Sequence, residues 1–372
     1  MAETIKKRFQ QYILPGIIFQ SVLIGGAYAT GREIVEYGAK YGAMGVWSIV
    51  ALGAGFSVIA ILAYEFARIF RVYDYKGFVK GLIGPLWPLF DVVYGVMVVV
   101  TIAVVSAASG EVVKEVFGWP FWLGVGLVIV LVGALEAGGR HLIERFKTVG
   151  SVLLYGGFVV FAGLVLGQTW GNVETVFATG DTSYVESVSI WGALFTGILY
   201  VGYNLGVMPA TLFVLDYQTT RRQAVWAGVI SGVLATVPFI LTYLAVMGYY
   251  PNADVLGAEV PWLAMLGRAG GSVLVSVYTV VILWTLVETS TGMIHAVLKR
   301  IDANLEDLGR PVLTPLQAGA LTVGVLLTAA ILSSVGIIDL VAKGYLALAY
   351  GFLALFALPL LTIGVFRIWR RR

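Results

Sequence analysis

The 372-residue chain contains no cysteine, so neither a disulfide framework nor thiolate chemistry is open to it. Histidine is nearly absent: His141 and His295 stand far apart, and neither belongs to a His-Glu-x-x-His zinc motif. No Gly-rich loop ends in Gly-Lys-Ser/Thr, and no polar stretch is long enough for a nucleotide-binding domain. Enzymatic readings therefore find little support, and energy for any work has to come from an ion gradient. Charge is scarce too. Charged residues make up 12% against 59% hydrophobic, which leaves too little polar surface for a soluble globule of this length.

What the chain has instead is a succession of apolar runs long enough to cross a hydrocarbon core of about 30 Å. They fall at roughly 12–38, 43–70, 84–114, 120–138, 143–168, 187–217, 221–250, 269–299, 315–335 and 338–369. The expected fold is an all-α membrane protein of ten transmembrane helices. Lys and Arg cluster around Lys6–Arg8, Arg68–Lys80, Arg140–Lys147, Arg221–Arg222, Lys299–Arg310 and Arg367–Arg372. The positive-inside rule then places both termini in the cytoplasm and the protein in the inner (plasma) membrane. The formal charge of +3 is this pattern summed and calls for no nucleic-acid partner. Residues 1–11 carry basic residues without a small-residue cleavage site, so the first span is expected to be retained.

A midpoint at 168–186 separates five spans from five within one integral domain, residues 1–372. Five is odd, so the second half enters the membrane from the opposite side. The expectation is an inverted repeat, about 12–168 and about 187–369.

Two spans are interrupted at similar depth. Gly25-Gly26-Ala27-Tyr28-Ala29-Thr30-Gly31 lies in the first, and Tyr200-Val201-Gly202-Tyr203-Asn204-Leu205-Gly206 in the sixth. A broken helix in lipid leaves N–H and C=O groups that only protein, a ligand or an ion can satisfy. Gly26, Ala27, Thr30, Tyr200, Gly202, Tyr203 and Asn204 are the candidate substrate ligands. Close helix packing is the competing use of the glycines, and anchoring or packing that of the tyrosines.

In the eighth span Glu288-Thr289-Ser290-Thr291 interrupts an apolar run. Hydroxyl oxygens are hard ligands suited to sodium, although Ser and Thr in lipid also bond back to the carbonyl one turn earlier. Glu288 is costly at this depth unless paired, protonated or facing water, and is the best single candidate for proton titration. Arg32 and Glu33 follow the first interruption, either as a gate across a vestibule or as a local surface ion pair. Glu36, Asp339 and Lys343 are further possible partners.

The motif Gly-Gly-Ala-Tyr-Ala-Thr-Gly-Arg-Glu-Ile at 25–34, continuing to Tyr41-Gly42-Ala43, resembles the opening of the YkvI-like bacterial membrane proteins. That family is related to the amino acid/polyamine/organocation transporters and is more distantly similar to the LeuT-fold sodium symporters. Leu142-Ile143-Glu144-Arg145-Phe146-Lys147 resembles the start of the symporters' fifth helix, and Thr289-Ser290 resembles a sodium-ligating pair in their eighth. The resemblance implies a LeuT-type 5+5 arrangement with helices 1 and 6 broken. It also implies a sodium site formed by backbone near Val22 and Gly25 with Thr289 and Ser290. Ala29 stands where the symporters carry a sodium-binding asparagine, so the resemblance supports one sodium and not a second.

The sequence reading is thus a secondary transporter of a small organic solute, amino acid or amine-like, coupled to sodium and needing no organic cofactor. Proton coupling through Glu288 or Glu33 is the alternative within transport, and a channel or a non-transporting sensor is the alternative outside it. Substrate identity and oligomeric state are not legible.

Overall fold

The computed structural model describes residues 2–138 and 140–371, and of these the side chains of 2–4, 26–27, 137–138 and 140–155 are not described. Among the described residues every regular element is a helix.

The first segment is built in pieces. Helical winding begins at Ala2 and passes through a π-turn at Phe9–Ile13 into the Leu14–Leu23 helix, with Pro15, which has no N–H to donate, just after the π-turn. Helical geometry stops at Ile24 (φ −81°, ψ 82°), resumes for the single turn Gly26–Ala29, and stops again at Gly31. Gly31 has φ 83°, the left-handed region that a side chain would strain, and a Cβ there would meet the Trp262 ring at 3.0 Å. The helix Arg32–Tyr37 then follows. Both interruptions fall inside the glycine-rich motif.

Long helices come next: Gly45–Phe70, Trp87–Phe117, Phe121–Gly138, Arg140–Thr179, Ile190–Asn204, Arg221–Met247, the stretch Pro261–Asp307, which is broken into two helices at Gly271 (φ 62°, ψ −155°), and Pro315–Ser333. Their starts are marked by local chemistry. Thr220 with Gln223 and Thr314 with Gln317 form capping boxes, and Ser189 accepts the Gly192 N–H at 3.0 Å. A short amphipathic helix, Tyr75–Ile83, capped by Asp74, precedes Trp87. From Ile337 to Arg370 the chain is helical with repeated π-turns.

The sixth segment differs from expectation. It stays α-helical through Gly202, Tyr203 and Asn204 and changes to 3₁₀ winding at Leu205–Tyr217, with Pro209 inside. The interruption is a change of pitch one residue beyond Asn204. Gly202 and Gly206 serve close packing: a Cβ on Gly202 would lie 2.8 Å from Leu353, and one on Gly206 2.6 Å from Phe352 and Met97.

Seven helical stretches among the described residues are long and apolar enough to span a membrane, and Phe121–Glu136 is a shorter apolar one. The pieces of the first segment are each too short to meet that length, and the helix from Arg140 begins in residues whose side chains are not described. Burial sorts the stretches. In the most apolar window of Ile190–Tyr217, 83% is buried, against 28% for Pro315–Ser333, so the first is central and the second peripheral. On the outer faces Leu316, Trp191, Ile331 and Val273 are more than two-thirds exposed, an apolar surface that lipid covers and water would not. The chain is a multi-pass membrane protein.

Small residues let the helices approach. A Cβ on Gly197 would fall 2.3 Å from the Ser48 carbonyl oxygen, and one on Gly232 2.1 Å from Ser57 Oγ. These contacts hold Ile190–Asn204 and Arg221–Met247 against Gly45–Phe70.

Candidate functional site

The backbone groups freed in the first segment are largely claimed by protein. Tyr278 Oη donates to the Ala29 carbonyl at 2.8 Å, and the Trp262 N–H donates to the Thr30 carbonyl at 3.1 Å. Thr30 Oγ1 accepts the Arg32 N–H at 3.1 Å and so caps the Arg32–Tyr37 helix. Thr30 itself is fully buried. Gly26 and Ala27 fall among residues whose side chains are not described, as does the Leu142–Lys147 motif.

Arg32 and Glu33 are both only 4% exposed and do not pair with each other, so they are not a local surface ion pair. Consecutive helical positions point about 100° apart, and the two side chains take different partners. Arg32 Nη1 donates to the carbonyls of Leu256 (2.6 Å) and Ala258 (3.1 Å), with Glu36 at 3.9 Å. It fastens the 253–260 loop over the first segment. Asp339 pairs instead with Lys343 at 2.8 Å, and Glu36 with Lys40 at 2.5 Å.

Glu33 turns inward, where its carboxylate accepts a hydrogen bond from the Tyr203 hydroxyl. Tyr203 is sandwiched by aromatic rings: Tyr345 stacks on it at 4.6 Å with planes 19° apart, Tyr37 lies at 5.6 Å, and Tyr200 meets it edge-on at 5.3 Å. Tyr28 and Tyr200 are also buried. The Tyr28 hydroxyl is turned towards Thr242, and that of Tyr200 towards Tyr203. Four segments therefore bring one carboxylate and a group of tyrosines together in the core.

Asn204 is buried, but its amide donates to the Tyr200 carbonyl of its own helix at 2.9 Å, leaving Oδ1 as its remaining acceptor. Tyr200 and Tyr203, rather than Asn204, are the residues of this run beside Glu33. Of the residues now grouped there, Tyr37, Thr242 and Tyr345 were missed in the sequence. Each looks like ordinary core in its own segment, and Tyr345 lies 142 positions from its stacking partner Tyr203.

Thr289 of the hydroxyl pair sits against the other end of the interruption. A Cβ on Gly25 would lie 3.2 Å from Thr289 Oγ1, which places Thr289 directly beside Gly25. Ser290, fully buried, donates to the Leu286 carbonyl at 3.1 Å and keeps its oxygen lone pairs. Gly25 O accepts the Ala29 N–H at 3.1 Å and has one lone pair left. The Val22 side chain is 37% exposed, so only its backbone would face such a site. Glu288 is half-buried on the same helix, seven residues before His295, whose Nδ1 is 3.9 Å from Glu136.

The fold defined by these helices is similar to that of solved membrane proteins. It superimposes with a TM-score of 0.57 on a substrate-bound, outward-open Na⁺-coupled sialic acid symporter at 12% identity, covering 94% of this chain and 85% of that one. A mutant of the manganese transporter of Eremococcus coleocola matches at 0.51 and 14% identity, over 95% and 86%. At such identities the likeness is one of fold. In sequence the chain is similar to the uncharacterised membrane protein YkvI of Bacillus subtilis, 21% identical over 347 residues, 90% of this chain and 92% of that protein. The resemblance read from the first-segment motif thus extends along almost the whole chain. No protein-family model matches it.

Proposed function

We propose that the chain is a secondary active transporter of a small organic solute, working by alternating access and coupled to sodium. The observation that carries this reading is the pair of contacts made by the interrupted first segment. It meets the sixth segment through Glu33 and Tyr203, and the Pro261–Asp307 helix through Gly25 and Thr289. A solute between the first and sixth segments and an ion between the first and the Pro261–Asp307 helix would each bind where irregular backbone lies in the protein interior.

The likeness in fold to a sodium-coupled symporter supports the choice of ion. The sodium ligands in this reading are backbone oxygens near Val22 and Gly25 and the hydroxyls of Thr289 and Ser290. The seven spanning stretches, with the interrupted first segment, Phe121–Gly138 and Arg140–Thr179, support a reading of ten spans, an even number that fits both termini on one side; the lysine and arginine pattern makes that side the cytoplasm.

Proton coupling is the second reading, favoured by one observation: Glu33 is a buried carboxylate beside the proposed solute site. The experiment is uptake by purified protein in liposomes across a panel of amino acids and amines, with sodium and proton gradients imposed separately. Uptake that follows the sodium gradient is expected. Equal uptake in sodium-free buffer with a proton gradient would favour a carboxylate, Glu33 or Glu288, and binding without uptake would favour a sensor.

A further inference from the structure

We infer that the cavity at the outer ends of the Trp87–Phe117, Phe121–Gly138 and Pro315–Ser333 helices binds one phospholipid whose headgroup carries both a phosphate and a primary ammonium, a phosphatidylethanolamine. The inference rests on the chain spanning a membrane and not on what it transports.

The cavity measures about 640 Å³, and its wall includes Glu111, Lys114, Trp119, Trp122, Ser333 and Gly336. The lysine and arginine pattern puts the cytoplasm at the opposite ends of these helices. Trp119 and Trp122 are each more than half exposed, and Phe117 stacks on Trp119 with ring centroids 5.2 Å apart. Exposed indoles at a helix end mark headgroup depth, because the ring body is apolar and its N–H needs a polar neighbour.

Two apolar stripes run from the cavity into the membrane. Leu123, Leu127 and Val130 are exposed along the start of Phe121–Gly138, and Ile331, Leu327 and Val323 along the end of Pro315–Ser333. Each set recurs every three or four residues and so holds one helix face, and the two helices touch. Leu123 adjoins Trp122, and Ile331 lies close in sequence to Ser333, both in the cavity wall. Two acyl chains joined at one headgroup match that arrangement.

Charge selects the headgroup. Lys114 Nζ lies 3.1 Å from Glu111 Oε2. Glu115 shares their helix face, between Glu111 and Gly118 of the wall, and forms no ion pair among the described residues. Glu259 stands behind Gly336, where a Cβ would meet its Oε1 at 3.4 Å, while its Oε2 accepts the Ile337 N–H at 2.8 Å. Three carboxylates and one lysine leave the site with an excess of negative charge. A headgroup with phosphate alone would find Lys114 but meet the carboxylates, and a quaternary ammonium has no N–H to give them. A primary ammonium donates to Glu111 or Glu115 while its own phosphate takes Lys114.

The test uses the full-length protein in lipid nanodiscs made of equal parts ethanolamine, choline and glycerol phospholipids, with one class at a time carrying dibrominated acyl chains. The chain has no cysteine, so a bimane label on Val130→Cys reports chains on the stripe alone. A label on Val280→Cys, also exposed but on the Pro261–Asp307 stretch, reports the ordinary lipid boundary. Brominated ethanolamine lipid is expected to quench the first label severalfold more than the other two lipids do, and all three should quench the second alike. Glu111→Gln/Glu115→Gln should turn the preference toward the anionic glycerol lipid, because Lys114 then faces no carboxylate on its own helix. Glu111→Gln alone should reduce the ethanolamine preference and serves if the double variant does not fold.

Equal quenching of the Val130 label by all three lipids, a preference for the glycerol lipid in the wild-type site, or an ethanolamine preference unchanged in the carboxylate variants overturns the inference. So does the absence of quenching there by any lipid, which would mean that a second copy of the chain covers this face. Solute uptake has no part in this readout, so failure of the transport reading leaves the lipid site standing, and failure of the lipid site leaves the transport reading intact.

Discussion

Tyr203 and Glu33 lie 170 residues apart and meet through one hydrogen bond in the buried core. A hydrogen bond to a charged group contributes about 1.5–3 kcal/mol, and removing one partner leaves the other unsatisfied. Tyr203→Phe and Glu33→Leu should therefore be strongly non-additive, with a coupling of about 1–3 kcal/mol in a double-mutant cycle of unfolding. Additive effects would mean that the contact is not energetically real. Asn204 has a milder expectation, because its amide donor is already bonded within its own helix. Asn204→Ala should fold and should weaken solute binding only if Oδ1 touches the solute, so wild-type affinity in that variant would remove Asn204 from the site.

Among the elements, the first and sixth segments are tied at their far ends as well as at their middle. Gln11 Nε2 donates to the Tyr217 carbonyl at 3.1 Å, and Gln218 Nε2 donates back to the Gln11 carbonyl at 3.2 Å. Both glutamines are buried, at 6% and 2% exposure, so each bond replaces one that water cannot make. If spans one, two, six and seven rock as a unit, a bridge between these ends does not hinder transport. The chain has no cysteine, so a Gln11→Cys/Gln218→Cys variant joined by a short thiol cross-linker has no background. Cross-linked protein is expected to retain uptake in liposomes, and its arrest on cross-linking would show that these ends must part.

A second fastening lies at Arg300, whose guanidinium sits 3.5 Å from the Tyr94 ring centroid and 4.1 Å from that of Tyr75, while Nη1 pairs with Asp91 at 3.3 Å. It joins the long Pro261–Asp307 helix to the start of Trp87–Phe117 and to the short amphipathic helix. Each cation–π contact contributes about 0.5–2 kcal/mol when partly desolvated. Arg300→Ala should lower the unfolding midpoint clearly, and Arg300→Lys should recover only part of it, because an ammonium lacks the flat guanidinium face. Full recovery by lysine would reduce the role to charge alone.

For the whole molecule, coupling is the property that distinguishes the readings. Replacing Thr289 with alanine and Ser290 with valine would remove the hydroxyl oxygen next to Gly25 and that of the adjoining residue, which apolar neighbours cannot replace for a desolvated cation. Uptake is expected to stop or to lose its sodium dependence. A double variant that keeps wild-type sodium dependence would place the ion elsewhere. Wild-type uptake that is equally fast in potassium or choline buffer with a proton gradient would move the coupling role to a carboxylate, with Glu33→Gln then abolishing the drive.

Composition alone determined that the chain lives in a membrane as helices, because 12% charged residues cannot cover a soluble fold of this length. The Gly25–Gly31 motif likewise located the interrupted segment, since local backbone geometry such as the left-handed Gly31 depends on nearby residues. The second interruption was placed only approximately. Gly202 and Gly206 read as unwinding signals, but their glycine character is used against Leu353, Phe352 and Met97, contacts invisible until distant segments pack. The Thr289–Gly25 neighbourhood was anticipated through a resemblance, not from either segment by itself. Tertiary structure alone decided that Arg32 faces a loop while Glu33 faces the core, and that Tyr203, Tyr345 and Tyr37 gather around the same carboxylate. A helix assigns each residue a direction, but what lies in that direction is set by segments more than a hundred residues away.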